Sequence, residues 1–193
     1  MELIRAYYQD AVKATQGTKL FPDTLVSQLV LESGYSLSKL AKDANNFFGI
    51  KSGTTWTGRV ISAPTIEYVN NQAVKVPGNW QIYSSRAAAI QARQPAASLF
   101  RVYDNRAAGF SGWVQFLYNN PRYSRAGVFQ AKTPVEQFAA LARAGYATDP
   151  RYLDKLSAVY NKIKGFFFAP AVKIGTPILL AVGVLLFLIA RNK

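Results

Sequence analysis

From Pro22 to Ser33 the chain reads as one helix: Leu25 and Leu29 recur at helical spacing, Pro22 suits a first-turn position, and Gly34 is placed to cap the end. The same pattern predicts a second short helix over "SKLAKDAN". A third over "TPVEQFAALARAG" opens on a capping box, with Thr133 reaching forward and Glu136 reaching back, and ends at Gly145. A fourth, "DPRYLDKLSAVYNKIK", opens at Asp149 and Pro150. The N-terminal "MELIRAYYQDAVKATQG" is amphipathic and interrupted by Arg5, Asp10 and Lys13, so it offers no unbroken apolar run of the secretory-signal kind.

The period changes in "WTGRVISAPTIEYVNNQAVKV", where β-branched and aromatic residues in short runs around Asn70 and Asn71 predict a hairpin or small sheet. The segment that follows, residues 79–98, carries a short Ala-rich helix at its centre. The expected class is therefore α+β, mostly helical with a minor β element. Beyond Lys173 the pattern stops altogether: no charge occurs from Ile174 to Ala190, which is long enough to cross a bilayer. Two units are expected, a domain over 1–164 and a transmembrane anchor with a short basic tail over 165–193. The alternative for the tail is a buried core helix, but it follows an apparently complete domain and is apolar on all faces.

Composition narrows the chemistry. The 193 residues hold 23 Lys and Arg against 10 Asp and Glu, a formal charge of +13, which favours an anionic partner such as an acidic wall polymer, an anionic lipid surface or nucleic acid. The basic residues are dispersed and no nucleic-acid motif is present, so nucleic acid is not expected. With no His and no Cys, the chain cannot build a Ser-His-Asp relay, a Cys-His nucleophile or an imidazole or thiolate zinc site, and no metal or cofactor is expected. Any hydrolysis rests on carboxylates, hydroxyls or Lys.

The ten acids can then be sorted. Glu136 and Asp149 read as caps, Asp23 as a first-turn partner of the helix dipole, and Asp10, Asp43 and Asp154 as helical ion-pair partners of Lys13, Lys39 and Arg151. Glu2 is terminal, and Asp104 has the look of a turn residue. Glu32 differs, because it falls three residues after Leu29 and seven after Leu25, on the same helical face as both. Burial among apolar neighbours raises a carboxyl pKa and suits a general acid; a buried Glu can equally bond to backbone amides or meet a distant Arg. Glu67, on a strand of the hairpin, reads by itself as part of a solvated face.

The stretch "LVLESGYSLSKLAKDANNFFGIK", followed in order by "WTGRVI", "TIEYVNN", "FRVYD", "FSGWVQFL", "RY" and "AGYATDPRYLDKL", resembles the N-acetylglucosaminidase domains of flagellar and autolysin type, glycoside hydrolase family seventy-three. The resemblance runs from about Phe21 to Lys164. It implies a lysozyme-like fold that cleaves peptidoglycan glycan after N-acetylglucosamine. It further implies that Glu32 is the general acid, that Glu67 is the second carboxylate on a mobile hairpin, and that Tyr146 lines the cleft. Phe48, Trp56, Tyr68 and Asn46 are then candidates for substrate binding, with core packing the alternative for the rings. Inversion, retention and assistance by the substrate's N-acetyl group stay open. The chain departs from the family pattern at Ser36, where Gly is usual, and at Gly112, where an acid is usual. The nearest rival chemistry is that of a lytic transglycosylase, whose Gly-Leu-Met-Gln continuation is absent; a catalytically idle, cationic, membrane-anchored structural protein is the non-enzyme alternative.

The flank before the apolar tail (Arg151, Lys155, Lys162, Lys164, Lys173) is more basic than the flank after it (Arg191, Lys193), which would hold the domain on the cytoplasmic side. Peptidoglycan lies on the other side. A phage protein anchored in a virion membrane, in contact with virion or envelope proteins, would reconcile the two.

Overall fold

The computed structural model describes residues 2–33, 37–69, 72–147 and 149–168. Eight helices appear among them: α1 (Glu2–Thr15), α2 (Pro22–Ser33), α3 (Lys39–Ala44), α4 (Arg86–Gln91), α5 (Arg106–Tyr118), α6 (Pro121–Arg125), α7 (Pro134–Arg143) and α8 (Tyr152–Phe168). Five short strands lie between α3 and α5: β1 (Val60–Ser62), β2 (Thr65–Val69), β3 (Gln72–Val76), β4 (Ile82–Tyr83) and β5 (Leu99–Arg101). They form two antiparallel sheets, one in the order β4-β1-β5 and one a hairpin of β2 with β3. The α+β expectation describes this arrangement. The sheet and the hairpin are separate, because the chain leaves β1 at Ala63-Pro64 before it pairs again, with Glu67 opposite Val74.

Helix α2 is the centre of the helical part. Every residue from Asp23 to Val30 is buried, polar ones included, as α1, α7 and α8 pack around it. Asp23 is therefore more than a partner for the helix dipole: it is 7% exposed, burial raises its pKa, and the Tyr8 hydroxyl donates to it. Asp10 does not pair with Lys13 along α1 but reaches across to Arg106 of α5 at 2.5 Å. Among the described residues Asp154 has no ion pair with Arg151; its neighbour Lys155 pairs with Asp149, which also accepts from the Arg151 amide. Thr133 caps α7 as its capping box predicts, accepting from the Glu136 amide at 3.2 Å.

Helix α5 has no polar stripe to announce it, since Gly109, Phe110, Gly112, Trp113, Val114 and Leu117 are all buried. Its glycines permit two close approaches. A Cβ at Gly109 would lie 2.1 Å from the Asn45 carbonyl oxygen, and one at Gly112 would lie 2.4 Å from the Tyr103 ring. The Tyr103 ring thus occupies the space that an acidic side chain at 112 would need. Asn45 itself closes α3 in the left-handed conformation, φ 50°, and donates through Nδ2 to the Tyr103 carbonyl at 3.0 Å.

Helix α8 continues without interruption through Gly165 to Phe168, past the expected boundary at 164 and 165. The apolar tail itself lies outside the described residues; among those described, no helix is long and apolar enough to cross a membrane. Because the carbonyl facing Gly109 belongs to backbone and cannot swing aside, Gly109→Ala is expected to lower stability by about 1–3 kcal/mol, read from urea unfolding.

Candidate functional site

Glu32 stands at the last turn of α2, where the buried run of that helix ends and its side chain reaches solvent. It is more open than its helical face predicts. Even so, desolvation by the surrounding protein raises its carboxyl above the ordinary value, and among the described residues no ion pair or hydrogen bond offsets that. After α3 the chain turns through left-handed Asn45, φ 50°, and Gly49, φ 62°, and Asn46 donates through Nδ2 to the Ile50 carbonyl.

Three phenols surround this end of the helix, each delivered by a different element. Tyr146 follows the left-handed Gly145 that stops α7, Tyr152 opens α8, and Tyr123 lies in α6. The Tyr146 and Tyr152 rings stack, with centroids 5.9 Å apart and 15° between planes, and Tyr123 leans on Tyr146 at 6.1 Å. Burial above all pushes the Tyr146 hydroxyl well above its usual value, with Tyr152, Glu32 and Tyr123 adding to the rise and the nearby Trp113 indole opposing it. The Trp113 N–H does not form a well-aligned hydrogen bond there. Tyr152 is raised too, chiefly by burial, while the Gln28 amide donates to its hydroxyl at 2.5 Å. Gln28 lies one helical turn before Glu32, so the same face of α2 carries both the carboxyl and the side chain that fixes one of its phenols. The result is a carboxyl that binds its proton more tightly than usual, beside hydroxyls that stay protonated donors.

Glu67 occupies a different setting. It lies on β2, and its Oε1 accepts from the Lys51 ammonium at 2.7 Å. Lys51 in turn sits 4.0 Å above the Phe100 ring and donates to the Ala97 carbonyl oxygen, so the hairpin carboxylate is tied to the neighbouring sheet. This lysine stands in plain sight in "NNFFGIK", but sequence reasoning had no way to pair it with a strand residue 16 positions on.

The remaining candidates divide. Trp56 is partly exposed, its indole N–H bonded to the Arg59 carbonyl at 2.9 Å and its ring covered on one side by the Arg101 guanidinium at 4.8 Å. It opens on a cleft of about 440 Å³ lined also by Arg59, Tyr103, Asp104, Gly112 and Gln115, and not by Glu32, Glu67 or Tyr146. Phe48 is only 9% exposed and packs on Trp113 at 5.6 Å, the core packing that stood as the alternative for this ring. Asn46 is 1% exposed and fully committed to backbone, accepting from the Ile50 amide and donating to the Ile50 and Arg101 carbonyls at 2.8 and 2.9 Å. It braces the loop and has no free polar atom to offer a ligand. Tyr68 lies on β2 opposite Ala73, and its side chain is outside the described ones. Among the described residues no group of three or more acidic side chains is placed to hold a metal ion.

Comparison with known proteins adds a family to this geometry. The glucosaminidase family, described as mannosyl-glycoprotein endo-beta-N-acetylglucosaminidase, matches residues 8–165. The peptidoglycan hydrolase FlgJ of Vibrio parahaemolyticus is 33% identical over 159 residues, 80% of this chain and 44% of that protein. The chain thus spans less than half the length of this relative and of its Salmonella typhimurium and Pseudomonas aeruginosa counterparts. A peptidoglycan hydrolase mutant from Sphingomonas sp. A1 superposes with a TM-score of 0.60 at 31% identity, covering 83% of this chain and 92% of that one. A C-terminally truncated glycoside hydrolase domain of Salmonella typhimurium FlgJ gives 0.60 at 29% identity, covering 85% and 97%. The α+β arrangement of α2, the two small sheets and α5 is thus that of a lysozyme-like glycoside hydrolase, and the chain belongs to the glucosaminidase family.

Proposed function

We propose that this protein is a peptidoglycan hydrolase that cleaves the glycan strand after N-acetylglucosamine, with Glu32 as general acid. The observation that carries the proposal is the Glu32 carboxyl, without a partner among the described residues, at the open end of a buried helix, its pKa raised by desolvation, among phenols that remain protonated. In this reading Glu32 protonates the departing glycosidic oxygen, and Tyr146 lines the substrate path beside Glu32 and donates a hydrogen bond to the carboxyl or to the sugar. Glu67, carried on the hairpin, is the second carboxylate that activates water or steadies positive charge at the anomeric carbon. Trp56 supplies an exposed ring face farther along. The FlgJ proteins and the Sphingomonas structure, named as peptidoglycan hydrolases, support the substrate class.

The proposal extends to location: the uncharged run from Ile174 to Ala190 anchors the chain in a bilayer, and a virion membrane places the domain against the wall as a phage genome enters. The uninterrupted course of α8 to Phe168 supports a short connection between domain and lipid.

Four outcomes are expected. Glu32→Gln lowers the rate of peptidoglycan digestion by about 10²–10⁴-fold, and the wild type releases reducing N-acetylglucosamine ends; anhydromuramyl ends would instead mean a lytic transglycosylase. The turnover rate falls as pH rises through the raised Glu32 pKa, because the acid must hold its proton, and that alkaline limb vanishes in the residual activity of Glu32→Gln. Stability follows the same sign: a carboxyl whose pKa is higher folded than unfolded favours the fold fully below the unfolded value and loses that contribution as pH climbs through the folded one. Glu32→Gln is therefore expected to melt no lower than wild type at neutral pH, by a small margin because the side chain is solvent-exposed. For the anchor, the chain should sediment with membranes and resist alkaline carbonate extraction, and should appear in purified virions of a membrane-containing phage. Exclusive presence in envelopes of uninfected cells would contradict the virion assignment.

A further inference from the structure

The Lys51 ammonium is held in three directions. It donates to Glu67 Oε1 at 2.7 Å, it donates to the carbonyl oxygen of Ala97 in the 3-10 turn Ala96–Ser98, and it rests 4.0 Å above the Phe100 ring. The Lys51 backbone is itself bridged to Phe100, extending the edge of the β4-β1-β5 sheet, while the Arg101 side chain donates to the Lys51 carbonyl at 3.2 Å. One end of this contact therefore belongs to a well-tied sheet. The other end belongs to the two-stranded hairpin, which pairs with no other strand among the described residues and leaves Ile66 exposed on one face and Val74 on the other. A two-stranded ribbon is marginal by itself and must borrow its position from what it touches.

We propose that Lys51 is a positioning residue for the second carboxylate: it pins the β2–β3 hairpin to the sheet through Glu67, fixing where that carboxylate stands and leaving its other oxygen to face the substrate. The proposal rests on the reading of Glu67 as the second carboxylate. Lys51 touches no reacting atom in this arrangement. Its ring and carbonyl contacts set the ammonium, and the ammonium sets Glu67. Both partners of the pair are partly exposed, with 38% and 36% of their side chains accessible, so the contact can open and re-form without the cost of burying a lone charge.

A double-mutant cycle on the full chain tests this, with kcat, KM and melting midpoint measured on purified peptidoglycan for Lys51→Met, Glu67→Gln and the two combined. Glu67→Gln is expected to lower kcat, and Lys51→Met to lower kcat by about tenfold or more with KM little changed. The combination should be no slower than Glu67→Gln alone, and Lys51→Arg, which keeps the cation, should recover most of the loss. Lys51→Gln, which can still donate to the Ala97 carbonyl, provides the same comparison should the Met variant not fold. If Glu67→Gln is slow but Lys51→Met turns over like wild type, or if the two losses multiply, Lys51 does not act through Glu67 and the inference is overturned while the role of Glu67 stands. If Glu67→Gln retains full turnover, the second-carboxylate reading itself falls and the catalytic role of Lys51 with it.

Discussion

A helix buried on every side up to its last turn constrains all that follows. From Asp23 to Val30 every residue of α2 is buried, Leu31 is half-buried, and Glu32 is the exposed side chain with which the helix leaves the core. The carboxyl is exposed yet desolvated enough for its pKa to rise, a combination that depends on a polar residue standing where an apolar face ends. Tyr146 follows α7 and Tyr152 opens α8, two of the helices packed on α2, and Gln28 one turn before Glu32 ties Tyr152 to the same helix. Helix packing and acid chemistry are thus one arrangement.

The two carboxylates of the proposed site are set apart by environment. Glu32 has no cation beside it among the described residues, and its proton is favoured by burial alone. Glu67 faces an ammonium at 2.7 Å. Unequal surroundings of this kind are how a pair of like groups takes unlike roles, one giving a proton and the other acting as an anion. The division also maps onto the fold: Glu32 rides on a helix whose residues are buried from Asp23 to Val30, and Glu67 on a hairpin that pairs with no other described strand.

Much of the helical framework was legible in sequence because its ends are marked by local chemistry. Pro22 opens α2, Thr133 with Glu136 opens α7, and Asp149 precedes α8, each through contacts within a few residues. Helix α5 was not legible, since the face it leaves exposed carries Ala107, Gln115 and Tyr118 rather than a charged stripe, and periodicity has nothing to mark it by. The split of the β region was not either, because which strand pairs with β1 is decided by β4 and β5, some 20 to 40 positions away. Glu32 could be found from its place after Leu29, yet its phenolic neighbours and the Lys51 contact to Glu67 are tertiary facts. The motif "NNFFGIK" shows a limit of residue type: Asn46 braces a loop and Phe48 packs in the core, contacts that a polar or aromatic letter does not distinguish from ligand binding. Chemistry within a motif and scaffolding within a motif are written in the same residue types.

The central claim is that Glu32 keeps its proton to a higher pH than an ordinary carboxyl does. It is tested most directly by following the Glu32 side-chain carboxyl carbon by NMR in isotopically labelled protein as pH is raised, with Glu32→Gln assigning the resonance. A midpoint above that of the exposed carboxyls of the same chain is the predicted result. A midpoint at or below theirs would contradict the account.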